Sequence, residues 1–235
     1  TSVDVADQNG APAALVPGAL MKLIFALAPS AQVQNATATQ VPFPTLLGNC
    51  RVSIGGTYSP ILSVAVSGGS ATVLVRVPWG VDVTTTATIT FWASGAQTQF
   101  AGQPAQLAGP SLVLAGDRSH AAFYSQQLVP LPAGSVIVPG TIARVRLTGL
   151  GPVSPAASTN STGVAGQVPQ LPIFLFIDGV PVQILQAAAD LTSIGVMNVS
   201  FIVPDGLASG AHSLWAGTLL SDALAQSAAA VIELR

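Results

Sequence analysis

The chain has 235 residues, seven basic and nine acidic, for a formal net charge of −2 and 7% charged residues. Typical domains carry about 25% charged residues, and the absence of any basic cluster argues against nucleic acid as a partner. There is one cysteine, which excludes an internal disulfide.

A folded monomer of this size exposes on the order of 10,000 Å², so the charges are spread at roughly one per 600 Å² against one per about 170 Å² ordinarily. With a mean hydropathy of +0.62, two readings follow. Either much of the outer surface is covered in an assembly, or the surface is polar without charge, built of Ser, Thr, Ala and Gln. The most apolar run, residues 11–29, is broken by Pro12, Pro17, Gly18 and Lys22 and is too short to cross a bilayer. The chain begins at Thr1 and not at Met, which is read as removal of an upstream secretion signal and an extracellular or cell-surface location.

The first predicted element is a strand over residues 1–7, with Val3 and Val5 alternating with Ser2 and Asp4 before the turn pair Asn9-Gly10. Pro17-Gly18 then opens a strand over 20–27, and Pro139-Gly140 opens one over 142–147 with Arg144 standing where Lys22 stands. Each is followed by a loop rich in Pro, Ser, Thr and Ala, at 29–39 and 152–166. Loops of that length are uncommon in compact domains unless they serve as interaction surfaces.

A longer repeat follows, Arg51 to Val81 against Phe174 to Leu207. Ile54-Gly55-Gly56 matches Ile177-Asp178-Gly179, and Pro60-Ile61-Leu62 matches Pro181, Ile184 and Leu185. Val77-Pro78-Trp79-Gly80 matches Val203-Pro204-Asp205-Gly206. Val73, Val75 and Val77 alternate with Thr72, Leu74 and Arg76, and Val199, Phe201 and Val203 alternate in the second copy. Such alternation makes a half-buried antiparallel strand, and Val-Pro-x-Gly forces a turn at its end. Further strands are predicted over 84–93 and 211–218, with closing strands around Phe100 and over 228–234. Residues 107–139 have no counterpart in the first copy. They are read as a connector with an added hairpin, 112–114 and 121–124, turning at Gly116-Asp117. Turn signals at roughly ten-residue intervals, duplicated along the chain, predict an all-β protein of two tandem Ig-like antiparallel β-sandwich domains. The expected domains are 1–105 and 106–235, with 106–138 the connector and added hairpin.

The order Asn9-Gly10-Ala11, Val16-Pro17-Gly18, Phe43-Pro44-Thr45-Leu46-Leu47-Gly48, Ile54-Gly55-Gly56, Val77-Pro78-Trp79-Gly80, Thr148 to Pro155 and Ile177 to Pro181 resembles an uncharacterised bacterial domain family. That family is usually found near the C-termini of large secreted proteins and is similar to Ig-like IPT/TIG modules. The resemblance spans nearly the whole chain, and TGLGPVSPA and VPWG are its most specific pieces. It implies an extracellular tandem Ig-like protein and supplies no catalytic residues. Two departures are read against that family: the pair of modules is expected to stand alone, and Asp205 replaces the Trp of the first copy.

Catalytic chemistry is not visible. His120 and His212 sit in different elements without metal-ligand spacing, and there is no nucleophile elbow, phosphate loop or EF-hand run. Asp82, Asp117, Asp178, Asp190 and Asp205 are isolated and mostly next to turns, where a carboxylate bonding its own backbone explains them. No cofactor or metal is expected, calcium at inter-domain loops being the alternative. Cys50 alternates with Val52 and Ile54 and is expected to be a buried, inert thiol. Arg144 and Arg146 point the same way from one strand, as a solvated face or as a ligand clamp. Trp79, Trp92 and Trp215 serve either structure or a sugar platform. Asn35 and Asn160 are glycosylation sequons in the long loops, whereas that at Asn198 lies within a strand.

Two functional readings result, neither enzymatic. One is a structural subunit that assembles with copies of itself into a bacterial surface filament or layer. The other is a monomeric adhesion or carbohydrate-binding module that contacts surface glycans. For the first, the N-terminal strand with Val3, Asp4 and Val5 is a candidate assembly element, donated to a neighbour's sheet edge. The alternative is that it pairs as the first strand of its own domain. Trp79, Arg144 and Arg146 are candidate surface contacts.

Overall fold

The computed structural model describes residues 2–221 and 223–235. Among them every regular element is a strand, and no helix is long and apolar enough to cross a membrane. The chain divides into two compact units, one of residues 1–107 with 157–162, the other of residues 108–156 with 163–235.

The first unit contains β1 (Val3–Asp7), β2 (Leu20–Ala26), β3 (Ala36–Thr37), β4 (Cys50–Ile54) and β5 (Thr57–Tyr58). It continues with β6 (Ile61–Ser67), β7 (Ser70–Arg76), β8 (Ala87–Ala93) and β9 (Ala96–Gln103). The strands form two antiparallel sheets, ordered β1-β2-β7-β6-β3 and β5-β4-β8-β9. This is the A-B-E-D and C′-C-F-G arrangement of an immunoglobulin sandwich with a short strand added beyond D. Between β1 and β2 the chain crosses over: Leu15 donates its N–H to Pro104 O (2.8 Å) and accepts from Gln106 N–H (2.9 Å).

The second unit begins with β10 (Ser111–Leu112), β11 (Val136–Ile137), β12 (Ile142–Thr148), β13 (Val153–Ser154), β14 (Val168–Pro169) and β15 (Ile173–Ile177). It ends with β16 (Val180–Pro181), β17 (Ile184–Ala189), β18 (Met197–Ile202), β19 (Gly210–Leu220), β20 (Ala223–Gln226) and β21 (Ala230–Leu234). Its sheets run β10-β12-β18-β17 and β11-β21-β19-β15-β16, the same A-B-E-D and G-F-C-C′ order. β11 joins β21 in parallel, as Leu15 joins Ala105 in the first unit.

Alternation decides what is inside. Leu23, Phe25, Val73 and Val75 from one sheet meet Val52, Ile54, Ile89 and Phe91 from the other in one apolar cluster. Phe25 stacks on Phe91 with ring centroids 4.1 Å apart, a geometry that adds to plain area burial. In the second unit Val199, Phe201 and Val203 take the inward places held by Val73, Val75 and Val77, and all six are buried. The repeat extends to the irregularities. Ile61 pairs with Val75 and Ile184 with Phe201, and in each case the next residue, Leu62 or Leu185, is bulged out of register. Gly18 N–H donates to Val77 O (2.9 Å) and Val77 N–H to Ala19 O (3.0 Å), while Gly140 and Val203 repeat the pattern with Thr141 at 2.8 and 3.0 Å. Pro-Gly and Val-Pro are therefore two halves of one hydrogen-bonded corner in both units.

Short strands β3 and β13 fall within the segments expected to be loops, and further differences lie elsewhere. Strand β8 starts at Ala87, because Asp82 accepts hydrogen bonds from the backbone and hydroxyl of Thr84 (2.8 and 2.7 Å) and holds that segment in a turn. Strand β20 was not expected, since Ala223–Gln226 has no apolar alternation. Arg76, expected outward with Thr72 and Leu74, is only 1% exposed and donates Nη1–H to Gly18 O at 2.6 Å. Burial lowers its pKa, yet it stays charged at neutral pH.

The N-terminal strand pairs within its own unit, Val3 opposite Phe25 through to Asp7 opposite Met21. The Asn9-Gly10 stretch after it is a closed turn. Asp7 Oδ1 accepts the N–H groups of Asn9, Gly10 and Ala11 at 2.9, 2.8 and 2.9 Å. Ala13 N–H then donates back to Val5 O (3.1 Å).

Candidate functional site

The pleat of the second unit's β10-β12-β18-β17 sheet builds a polar cleft. Because Ala143, Val145 and Leu147 point inward, Arg144 and Arg146 must stand on the opposite face. Register then aligns them with partners: Arg144 opposite Ser200 and Arg146 opposite Asn198, with Gln186 and Ala188 continuing those rows on β17. The segments Gln126–Leu128 and Asp190–Thr192 wall the cleft, whose volume is about 560 Å³.

The two arginines are held differently. Arg146 Nη2 pairs with Asp190 Oδ2 at 2.7 Å, its Nε–H donates to Asn198 Oδ1 at 3.0 Å, and its guanidinium lies 4.2 Å from the centre of the Tyr124 ring. Asp190 is 1% exposed. Burial alone would raise its pKa, but hydrogen bonds from Thr192, the charge of Arg146 and the Asn198 amide outweigh burial and hold the carboxyl below its ordinary value. Asp190 is therefore ionised at neutral pH and neutralises Arg146. Arg144 donates Nε–H to Ser200 Oγ (3.1 Å) and Nη1–H to the Gln126 carbonyl. Among the described residues no carboxylate lies within 4.0 Å of it. The cleft thus carries one uncompensated positive charge on a guanidinium held by two hydrogen bonds. It is equipped to bind, with a cation, amides and hydroxyls but no paired nucleophile and base.

Of the residues singled out from sequence, the cleft unites Arg144 and Arg146 but not Trp79, which lies in the first unit. The Trp79 ring packs against Gly18, and its backbone N–H donates to Thr159 Oγ1 (3.2 Å). Sequence reasoning did not join Asp190, Asn198, Ser200 and Gln186 to the arginines, and read Asp190 as an isolated carboxylate at a turn. Their same-face spacing was legible for Asn198 and Ser200, which attracted notice only as a sequon. Two candidate glycosylation sites are engaged elsewhere: Asn35 Oδ1 accepts from Val66 N–H (2.6 Å), and the Asn160 amide makes reciprocal bonds to the Phe43 backbone (both 2.7 Å).

Trp92 and Trp215 lie on the outer faces of the second sheets, Trp92 opposite Arg51 and Trp215 opposite Phe176. Trp215 stacks on Phe176 at 3.8 Å, and Trp92 is tilted against Tyr58 at 5.5 Å. The two histidines anchor turns. His212 Nδ1 is 2.6 Å from Asp178 Oδ2 and its Nε2 is 2.8 Å from Ala208 O. His120 Nδ1 is 2.5 Å from Asp117 Oδ2, and its Nε2 is 3.6 Å from Glu233 Oε1. Cys50 is buried, its Sγ 3.2 Å from Leu47 O, and burial pushes its pKa up to about 11.

A second feature is an open sheet edge. β9, with sequence AQTQFAGQ, pairs on one side with β8. It holds no charge and no proline, and among the described residues no backbone hydrogen bond reaches its other side. In the other sheet of that unit the edge strand β1 carries Asp4 and Asp7.

No protein-family model and no curated protein matches the chain. Among solved structures, the tandem Ig repeats of Dlar are similar at 9% identity and a TM-score of 0.26, over 100% of this chain and 97% of that one. The C-terminal domain of the Streptococcus agalactiae AgI/II polypeptide BspA is similar at 10% identity and a TM-score of 0.27, over 98% and 99%. Dimeric latent PorU from Porphyromonas gingivalis is similar at 12% identity and a TM-score of 0.33, over 100% of this chain and 24% of that one. Scores this low add nothing to the Ig-like fold, which rests on the strand order of each unit.

Proposed function

We propose that the chain is a non-enzymatic extracellular structural protein, a subunit that assembles with copies of itself into a bacterial surface filament or layer. The observation that carries this reading is β9, an eight-residue edge strand without charge or proline, whose one bulge, at Ala101–Gly102 opposite Ala87–Ile89, leaves Ala96 to Phe100 in regular register. Exposed edges are templates for another chain, and monomeric proteins block them with charge, proline or bulges. The wider surface agrees. An accessible area of 10705 Å² carries roughly one charge per 670 Å² even before buried Arg76 and Asp190 are discounted. Pairing that runs from subunit to subunit in one sense gives a filament when its rotation does not close.

Donation of the N-terminal strand is a second route to the same assembly, but it requires opening the turn that Asp7 holds shut. The test is sedimentation velocity with negative-stain microscopy on the intact chain and on variants with lysine placed on β9. The second reading, a monomeric adhesion or carbohydrate-binding module, draws support from the arginine cleft.

A further inference from the structure

We propose that the cleft on the outer A-B-E-D face of the second unit binds a saccharide bearing a single carboxylate, of the uronic or sialic acid type, whether or not the chain assembles. The charge balance selects a monoanion. Arg146 is neutralised by buried Asp190 at 2.7 Å, so one positive charge, that of Arg144, remains for a ligand. Phosphate or sulfate esters in number, or a polyanion, would call for a cluster of cations that the cleft does not have.

The geometry leaves one arm of Arg144 to a ligand. Arg144 is fixed by Ser200 through Nε and by the Gln126 carbonyl through Nη1. Its Nη2 has no partner among the described residues, so its N–H groups remain to donate to a carboxylate oxygen. The walls select hydroxyl groups. Gln127 and Gln186 offer amides that both donate and accept, while Thr192 Oγ1, whose proton goes to Asp190 (2.6 Å), is left to accept, around the small apolar floor of Ala188 and Ala189. A sugar ring presents this combination of hydroxyls and C–H faces. A volume of about 560 Å³ lies within the range of small-molecule sites.

The test is a titration of the isotopically labelled full chain, followed by NMR, with sodium D-glucuronate, D-glucose, sodium acetate, sodium sulfate and an N-acetylated trialanine with a free C-terminus. Glucuronate is expected to shift signals of Arg144, Gln186 and Ser200 saturably in the millimolar range, with glucose and acetate each at least about tenfold weaker. Arg144→Gln should weaken glucuronate binding by at least about tenfold. Leu191→Asp should do the same by repulsion at the rim, and because Leu191 is 56% exposed that variant should keep the native thermal midpoint. Acetate or sulfate binding as tightly as glucuronate would overturn the proposal, since the cleft would then recognise charge alone. So would tighter binding of the peptide, no saturable shift with glucuronate, or unchanged binding in a folded Leu191→Asp variant.

Discussion

The indole of Trp79 packs directly on Gly18, so closely that a Cβ at Gly18 would lie 2.2 Å from its Cζ2. In the second unit Asp205 takes the place of Trp79 and Gly140 that of Gly18, with a Cβ there 2.6 Å from Asp205 Oδ1. Both glycines have positive φ, +72° and +77°. Gly18→Ala therefore combines backbone strain of about 1–3 kcal/mol with displacement of a rigid ring. Gly140→Ala meets the same strain, but the neighbouring carboxylate can rotate away. Chemical denaturation should show the larger loss for Gly18→Ala, and a larger loss for Gly140→Ala would contradict this.

Stability should decline as pH rises above the ordinary histidine range. Both ring nitrogens of His212 face acceptors, the Asp178 carboxylate and the Ala208 carbonyl, and only imidazolium donates from both. Its pKa is raised, first by Asp178 and then by Ala208. The stabilisation is therefore complete below the unfolded value of about 6.5 and is lost as pH rises through the higher folded value. Asp178 is lowered, chiefly by the Ser213 N–H and then by His212, so its contribution is present above the unfolded carboxylate value and lost as pH falls through the folded one. His120 is raised by Asp117, while Asp117 is lowered to about 2. The thermal midpoint should be higher at about pH 5.5 than at about pH 8, with a smaller difference in His212→Gln. A midpoint that rises over that interval would show the opposite linkage.

Cys50 should resist alkylation. With its pKa pushed up to about 11 by burial, little thiolate forms, and the sulfur is enclosed besides. Iodoacetamide at mildly alkaline pH should modify it only after denaturation. Rapid modification of the folded chain would place the thiol at the surface.

The strand faces were legible in the sequence, because a period of two leaves only one way to bury Val73, Val75, Val199 and Phe201. The carboxylates at turns were legible for the same local reason, with Asp82, Asp117 and Asp190 bonding to backbone N–H groups two or three residues on. The cleft was half legible. Arg144 and Arg146 share a face by spacing alone, but their partners depend on cross-strand register. The bulge at Leu185 sets that register on β17, and a pattern of apolar residues does not reveal it. Arg76 escaped for another reason: its burial depends on what covers the outer face near Gly18, which alternation within β7 does not encode.

Deleting residues 1–8 distinguishes two ways of joining subunits. The deletion strips β2 of its edge partner and should lower the stability of the first unit, because the paired register from Val3 to Asp7 is lost. If β9 is the joint, the truncated chain should still polymerise. Conversion to a folded monomer would make the N-terminal strand the link.

The most direct measurement is sedimentation velocity, with negative-stain images of the same samples, on the intact chain and on a Gln99→Lys/Ala101→Lys variant. Both side chains are exposed on β9, so the substitutions should leave the core untouched while placing charge along the open edge. The account predicts that the intact chain forms polymers whose length grows with concentration and that the variant is a folded monomer. A monomeric intact chain at every concentration, or a variant that polymerises equally well, would contradict it.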